Sequence, residues 1–506
     1  MTKLDIKRRA ILKGMSALGA GGFLVACSGG GDSSSSPTSS GSTNSNGNTI
    51  DPTNNSKGPS APSCSTNSSA SIPIIIDASV LATGIPQNVP MYAYISGKQS
   101  VSNIQYLYDP AQKKPVQANS LTNANQYAGP GMLANSPAAT IHYAEAWTNI
   151  AIPLDRTCAT LIADLASFNS TNISGLASPA PNFSGRIWIS VGEPLLPFTP
   201  LADPTQVTFP AFDNTYGSFA FYDWIEFSWD TTGDLFLNTT QVDQYGFSIS
   251  AKATGSTVSN PEIGIYNQPR STILSTLKSI GNQNPVFGTP IPIPTTQGIS
   301  PTAYPPLANT SGTIRMLSPK QWVATQTSTY LDSYISNMLT FWSTNWVAVS
   351  CPGSGTYYGL ASGSTLNFYT SKTSGAVAFS FSTAVGGGLS TNNILACNGA
   401  IALGSADQKN IGKALAAGFN RGVFTNAGGG TTVINIDQSN NNANFTPPLS
   451  SDYKVNPQYN TWAYNFHKFS SDGYAYGFPY DDVGNDEDLT QVTSTTGITI
   501  QLGIFN

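Results

Sequence analysis

Charge is what this sequence has least of. Lys and Arg together number 22 and Asp and Glu 27 in 506 residues, so only 10% of the chain is charged and the net charge is -5. Such a scarcity of cations leaves no basic surface able to track a phosphate backbone, which excludes nucleic acid as a partner. Histidine is scarcer still, with only His142 and His467. The five cysteines form no CxxC pair, so a zinc site has little to build on, and each histidine reads as structural. No G-x-S-x-G occurs, which removes the usual elbow of a serine hydrolase. What is plentiful is Gly (47), Pro (34) and aromatic residues (10%), a composition suited to short strands and many turns. A mainly β, exported protein is the first expectation.

The N-terminus supports export. Arg8 and Arg9 precede an apolar, Gly-rich run that ends in Leu24, Val25, Ala26 and Cys27. This resembles a twin-arginine signal joined to a bacterial lipoprotein box, with Cys27 as the lipidated residue and 1–27 as the signal. Residues 28–71 hold almost nothing apolar and read as a flexible Ser/Gly/Asn-rich stalk. The expected location is the bacterial outer membrane or cell surface through the lipid anchor alone, or secretion. Cys64, Cys158, Cys351 and Cys397 then allow up to two disulfides in any of three pairings.

Beyond the stalk, β-like segments recur in "SIPIIIDASV", "VPMYAYISG", "GRIWISVG", "YDWIEFSW" and "TGITIQLGIF". Helical spacing occurs only later. Over about 318–345, Ser318 can cap, Pro319 suits the first turn, and Tyr330, Leu331, Tyr334, Ile335, Met338, Leu339 and Trp342 form a stripe. Over 405–421, Ser405 and Gln408 form a capping box and Gly422 a stop. The expected organisation is a β-barrel or sandwich domain over 72–255, rejoined by about 480–506, and a mixed α/β domain over 256–479. The Pro- and Gly-rich stretch within 255–310 is read as the boundary.

Against the low charge, residues 221–246 stand out. They hold Asp223, Glu226, Asp230, Asp234 and Asp243, where an even spread of the 27 acids would leave about one or two. In an extended "YDWIEFSWD", alternation puts Tyr222, Trp224, Glu226, Ser228 and Asp230 on one face and Phe221, Ile225, Phe227 and Trp229 on the other. Rings, hydroxyls and carboxylates on one face can hold sugars, and Asn238, Thr240, Gln241 and Asp243 follow in the next segment. If the two segments pair, Glu226 and Asp243 can flank a glycosidic bond as acid and base; the bland alternative is a row of strand-edge charges.

In order, "WIEFSW", "NTTQVDQYGFSIS", "LACNGAIALGSADQKNIGKALAAGFNRG" and "SDGYAYGFPYDDVG" resemble the successive motifs of glycoside hydrolase family 64, the thaumatin-like β-1,3-glucanases. The resemblance covers about residue 72 to the C-terminus. It implies a thaumatin-like barrel beside a mixed α/β domain with a wide cleft between them, and inverting endo-type cleavage of β-1,3-glucan to short laminari-oligosaccharides by a monomer without cofactor or metal. It further implies Glu226 as general acid, Asp243 as general base, and an aspartate of the Y-D-D segment, Asp481 or Asp482, at the cleft; Asp482 joins Trp224, Ser228, Asp230, Asn238, Thr240 and Gln241 as expected substrate contacts. Asn238 stands where the wider thaumatin-like group often has another acid. An inverting pair needs room for water, so a carboxyl separation of roughly 6.5 to 9.5 Å is expected. A glucan-binding protein without turnover is the alternative.

Overall fold

The structure is a computed structural model that describes residues 70–505, except 100–102, 124–146, 169–182, 193–194, 211–219, 293–312, 352–353, 384–387, 426–431, 436–457, 484–486 and the single positions 86, 88, 231, 265, 267 and 374. The export signal, Cys27, the stalk, Cys64 and His142 therefore lie outside the described residues.

All five β-like segments form strands, because each alternates or runs through Ile, Val and aromatic residues. Two of them, Phe183–Val191 and Phe221–Trp229, pair antiparallel over their full lengths at the centre of a nine-stranded sheet. Met91–Gln99 flanks the first and Leu235–Thr239 the second, and Leu489–Thr493 pairs on the outer side of Leu235–Thr239. A four-stranded sheet sets Pro73–Asp77 parallel to Gly497–Leu502, so strands from the two ends of the described chain lie side by side, with Ile249–Thr254 on the far side. The apolar faces of the two sheets share one core, in which Ile74, Ile187, Ile225, Phe227, Ile498 and Ile500 are buried. Burying such side chains stabilises by about 1.5–3 kcal/mol each.

A second core lies against the five-stranded sheet that contains Val347–Cys351 and Gly355–Ser362. The helix Ala406–Arg421 packs here with Ile411, Leu415 and Phe419 buried, three positions spaced four apart that form one apolar stripe. Its ends follow the sequence: the Ser405 side chain accepts from the Gln408 amide, and Gly422 adopts φ 66°. The expected long helix over 318–345 is instead two, Pro319–Thr325 and Asp332–Phe341. Between them the Ser328 and Leu331 amides donate to Asn392 Oδ1 (2.9 Å) and Thr391 Oγ1 (2.8 Å). The intervening Thr-Gln-Thr-Ser-Thr run has weak helix propensity, so side-chain acceptors from a neighbouring segment win.

The stretch read as a domain boundary also holds a helix, Arg270–Gln283, whose Ile273, Leu274 and Leu277 are buried. Ser and Thr between these positions mask the spacing. At Gly281 an added Cβ would lie 2.0 Å from the Gly288 carbonyl, so the helix sits against its own following turn at a distance only glycine allows. The room for two disulfides is not used. Cys351 and Cys397 are free buried thiols, while Cys158 is disulfide-bonded to a partner outside the described residues.

Candidate active site

The polar face of the nine-stranded sheet is set by register. Arg186 lies opposite Glu226, and Glu226 opposite Asn238, so three central strands present Arg186, Glu226 and Asn238 in one row. Residues directly opposite in an antiparallel pair share a face. On the other face Ile225 and Phe227 join the large core, as alternation requires.

Arg186 organises the row. Its Nε and Nη2 donate to Glu226 Oε1 at 3.0 and 2.9 Å, and Nη2 also reaches Asp243 Oδ2 at 3.4 Å. Because Nη2 lies 2.9 Å from one carboxylate oxygen and 3.4 Å from the other, those two oxygens are closer than the roughly 6.5 Å lower bound expected between inverting carboxyls. The reason is the guanidinium, which draws one oxygen of each acid toward itself. The outer oxygens have other partners. Among the described residues Glu226 Oε2 has only a long contact, 3.4 Å from Asn238 Nδ2, whereas Asp243 Oδ1 accepts from Lys320 Nζ (2.6 Å) and Gln321 Nε2 (2.7 Å). Burial pushes the Asp243 carboxyl up, but Lys320, Arg186 and these hydrogen bonds outweigh it and hold the group below the usual carboxylate range.

Asp243 is positioned by its backbone as well. Its carbonyl accepts from the Ser318 amide at 3.1 Å, and the Ser318 hydroxyl donates to the Val242 carbonyl at 2.6 Å. Ser318 caps the very helix that carries Lys320 and Gln321, so one short helix both pins the turn and delivers two donors to the carboxylate. Below the turn, the Gln244 side-chain amide donates to the Tyr222 carbonyl at 2.9 Å, and the Arg315 guanidinium donates to the Gln244 oxygen. Asp223 ties the same turn to its strand, accepting from the Gly246 amide at 2.7 Å.

The expected contact residues divide into two groups. Asn238 Oδ1, Gln241 Oε1 and Asp482 Oδ1 are buried acceptor atoms with no hydrogen bond from the described residues. The other four are taken up by structure. Trp224 is packed against Trp188 (4.9 Å between centroids) and lies beneath the Arg186 guanidinium (4.6 Å), so its ring carries the arginine and offers no open face to a sugar. Ser228 is fully buried and hydrogen-bonded to Ser184. One oxygen of Asp230 accepts from the Thr232 amide and hydroxyl and from the Asp234 amide, which builds the turn after the strand. Thr240 accepts from the Val242 amide at 3.3 Å.

Of the two aspartates in the Y-D-D segment, Asp481 belongs to the interior: it pairs with Arg421 at 2.9 Å and accepts from the Gly477 amide, with His467 Nε2 3.1 Å away. His467 is thus a structural histidine. Asp482 has no such ion pair among the described residues; burial and then the charges of Asp482, Glu226, Glu487 and Asp481 push the Tyr476 hydroxyl well above its ordinary value. Glu226 and Asp243 are only 5% and 2% exposed, so the expected wide, water-filled surroundings are not what meets them here; Arg186, Asn238, Lys320 and Gln321 occupy the space about their oxygens.

Sequence reasoning missed Arg186, Lys320 and Gln321. Arg186 left a signal, a lone cation inside the otherwise uncharged strand "GRIWISVG". Lys320 and Gln321 left none, since only the tertiary fold brings their helix to Asp243.

Residues 87–500 match the profile of the β-1,3-glucanases of glycoside hydrolase family 64. The chain belongs to this family, and it is a glycoside hydrolase. Two solved structures are similar to it. A laminaripentaose-producing β-1,3-glucanase in complex with laminaritetraose matches with a TM-score of 0.58 at 21% identity, over 86% of this chain and 99% of the other. A family 64 β-1,3-glucanase domain from Clostridium beijerinckii matches with a TM-score of 0.58 at 20% identity, over 85% and 98%. These two likenesses concern the fold. No curated protein sequence matches the chain. The motifs quoted from "WIEFSW" to "SDGYAYGFPYDDVG" all fall inside the matched range.

Proposed function

We propose that the chain hydrolyses internal linkages of β-1,3-glucan with inversion, releasing short laminari-oligosaccharides, with Glu226 as general acid and Asp243 as general base. The observation that carries this reading is the shared guanidinium: one buried arginine holds two carboxylates from different segments at one place on the sheet face. Glycoside hydrolysis calls for such a pair, one group giving a proton to the leaving oxygen and one activating water. The division of roles follows the hydrogen bonds. Asp243 is held ionised by two cations and an amide, as a base must be, and three donors leave it about one further lone-pair site for water. Glu226 Oε2, which has a single long contact among the described residues and is free of the guanidinium, is the oxygen that carries the proton given to the leaving group.

Asn238, Gln241 and Asp482 offer unbonded acceptors to sugar hydroxyls, and Asn238 does so directly beside Glu226, which suits a neutral polyol substrate. The reaction needs no metal or organic cofactor. The reading includes a thaumatin-like arrangement, in which the sheet unit and the helical unit bound a groove along which the glucan lies.

Product analysis on laminarin tests it. Proton NMR is expected to show the α anomer first and oligosaccharides in place of glucose. Glu226→Gln and Asp243→Asn are each expected to lose about 10²–10⁴-fold in turnover while still binding glucan. A first-formed β anomer would overturn inversion, and near-wild-type turnover in either variant would remove that residue from the mechanism.

A further inference from the structure

One row of the polar sheet face has no part in the chemistry above. One step along the strands from Arg186 and Glu226, the register sets Lys98 opposite Ser184, Ser184 opposite Ser228, Ser228 opposite Phe236 and Phe236 opposite Gln491. Ser96 lies opposite Arg186 on the same strand as Lys98, so Lys98 shares the face of the arginine. The Ser184 and Ser228 hydroxyls bond to each other and fix the middle of the row.

Lys98 is unusual in its surroundings. It is 8% exposed, and among the described residues no carboxylate pairs with it. Burial, and then the charge of Arg186, lower its pKa. An ammonium enclosed beside a guanidinium without a counter-ion is costly, and a ligand that accepts a hydrogen bond from it relieves part of that cost. At the other end of the row Gln491 Nε2 is also buried with no acceptor among the described residues. The row therefore offers donors, whereas the neighbouring one offers the acceptor of Asn238. With strands about 4.8 Å apart and about 3.4 Å per residue, the Lys98 Cα lies about 12 Å from that of Glu226. That is the reach of one or two glucosyl units together with the side chains that hold them.

We propose that Lys98 donates a hydrogen bond to a hydroxyl of a glucosyl unit bound one or two units from the scissile linkage. The Lys98–Ser184–Ser228 row then forms a subsite that favours chains long enough to reach it. This rests on the glucan-hydrolysing reading, and it adds a specificity-determining residue that neither motif nor mechanism singles out.

The test compares kcat/KM on laminari-oligosaccharides of increasing length for the full chain and for Lys98→Met. The ratio of kcat/KM on the longest to that on the shortest is expected to fall about tenfold, mainly through KM, as loss of one charge-assisted hydrogen bond implies. Lys98→Gln, which keeps a donor, is expected to recover part of the loss. An equal loss at every length, or none, overturns the proposal, with thermal midpoints reporting whether each variant is folded. Calorimetric titration of the same oligosaccharides into Glu226→Gln, with and without Lys98→Met, reads the subsite independently of turnover. If the wild type fails to cleave glucan and yet Lys98→Met weakens binding of long oligosaccharides selectively, hydrolysis fails and the subsite stands; equal binding in both backgrounds overturns the subsite whatever the turnover.

Discussion

Arg186 carries more of the site than either acid. It is buried, spans two carboxylates and rests on the Trp224 ring, so its removal leaves two acids enclosed without their common cation. Breaking a buried ion pair from one side costs about 3–5 kcal/mol, because the remaining charge keeps its desolvation penalty. Arg186→Met is accordingly expected to lower stability by about that amount in urea unfolding. Arg186→Lys should retain charge but lose the fork that reaches both acids, and so recover stability better than turnover. Equal stability of Arg186→Met and wild type would show that the acids are solvated, with the arginine incidental.

The element that links the two cores at the site is the short helix Pro319–Thr325. Its cap, Ser318, bonds the turn that holds Asp243, and its first turn supplies Lys320 and Gln321. A lost serine cap costs about 1 kcal/mol. Ser318→Ala is expected to lower stability by that order and, because the hydroxyl also holds the Val242 carbonyl, to reduce kcat beyond what a remote cap of the same strength would. Ser405→Ala, at the cap of the helix Ala406–Arg421, is the control, since nothing connects that cap to the carboxylates. Thermal midpoints and turnover on laminarin, read together, separate the two; a Ser318 variant that loses stability but no turnover would show that Asp243 is held without the helix.

At the scale of the molecule, burial acts on acids outside the reacting pair. Asp223 and Asp488 are both pushed up to about 7 by burial, against backbone and hydroxyl hydrogen bonds that favour the ionised form. The folded state therefore holds more protons than the unfolded chain between the ordinary carboxylate value near 4 and about 7. Stability from these two groups falls as pH rises through that window and is level above it. Asp243, whose pKa is lowered, acts in the opposite sense and only at acid pH, where its ion pairs are lost as it takes up a proton. Asp488→Asn, which can keep an acceptor for Thr239 and the Gly264 amide, is expected to flatten the decline between pH 4 and 7. Urea midpoints across that range measure it, and an unchanged slope would mean that Asp488 titrates alike in both states.

Much of this was legible before any tertiary structure. Period-two alternation in "YDWIEFSW" separated Glu226 from Ile225 and Phe227, and the capping chemistry of Ser318, Ser405 and Gly422 marked helix ends, because these signals act within a few residues of chain. The ordered motifs pointed to the family that the profile match establishes. Local spacing could not tell that Trp224 lies under a guanidinium, that Asp230 closes a turn, or which of Asp481 and Asp482 is the interior ion-pair partner, since each outcome depends on what packs against the residue from elsewhere. Nor could it place Lys98, Arg186 and Lys320 about one sheet face. Strand register and the docking of a helix from the second core decide those neighbours, and both are set by long-range burial, to which a short stretch of sequence contributes only one side.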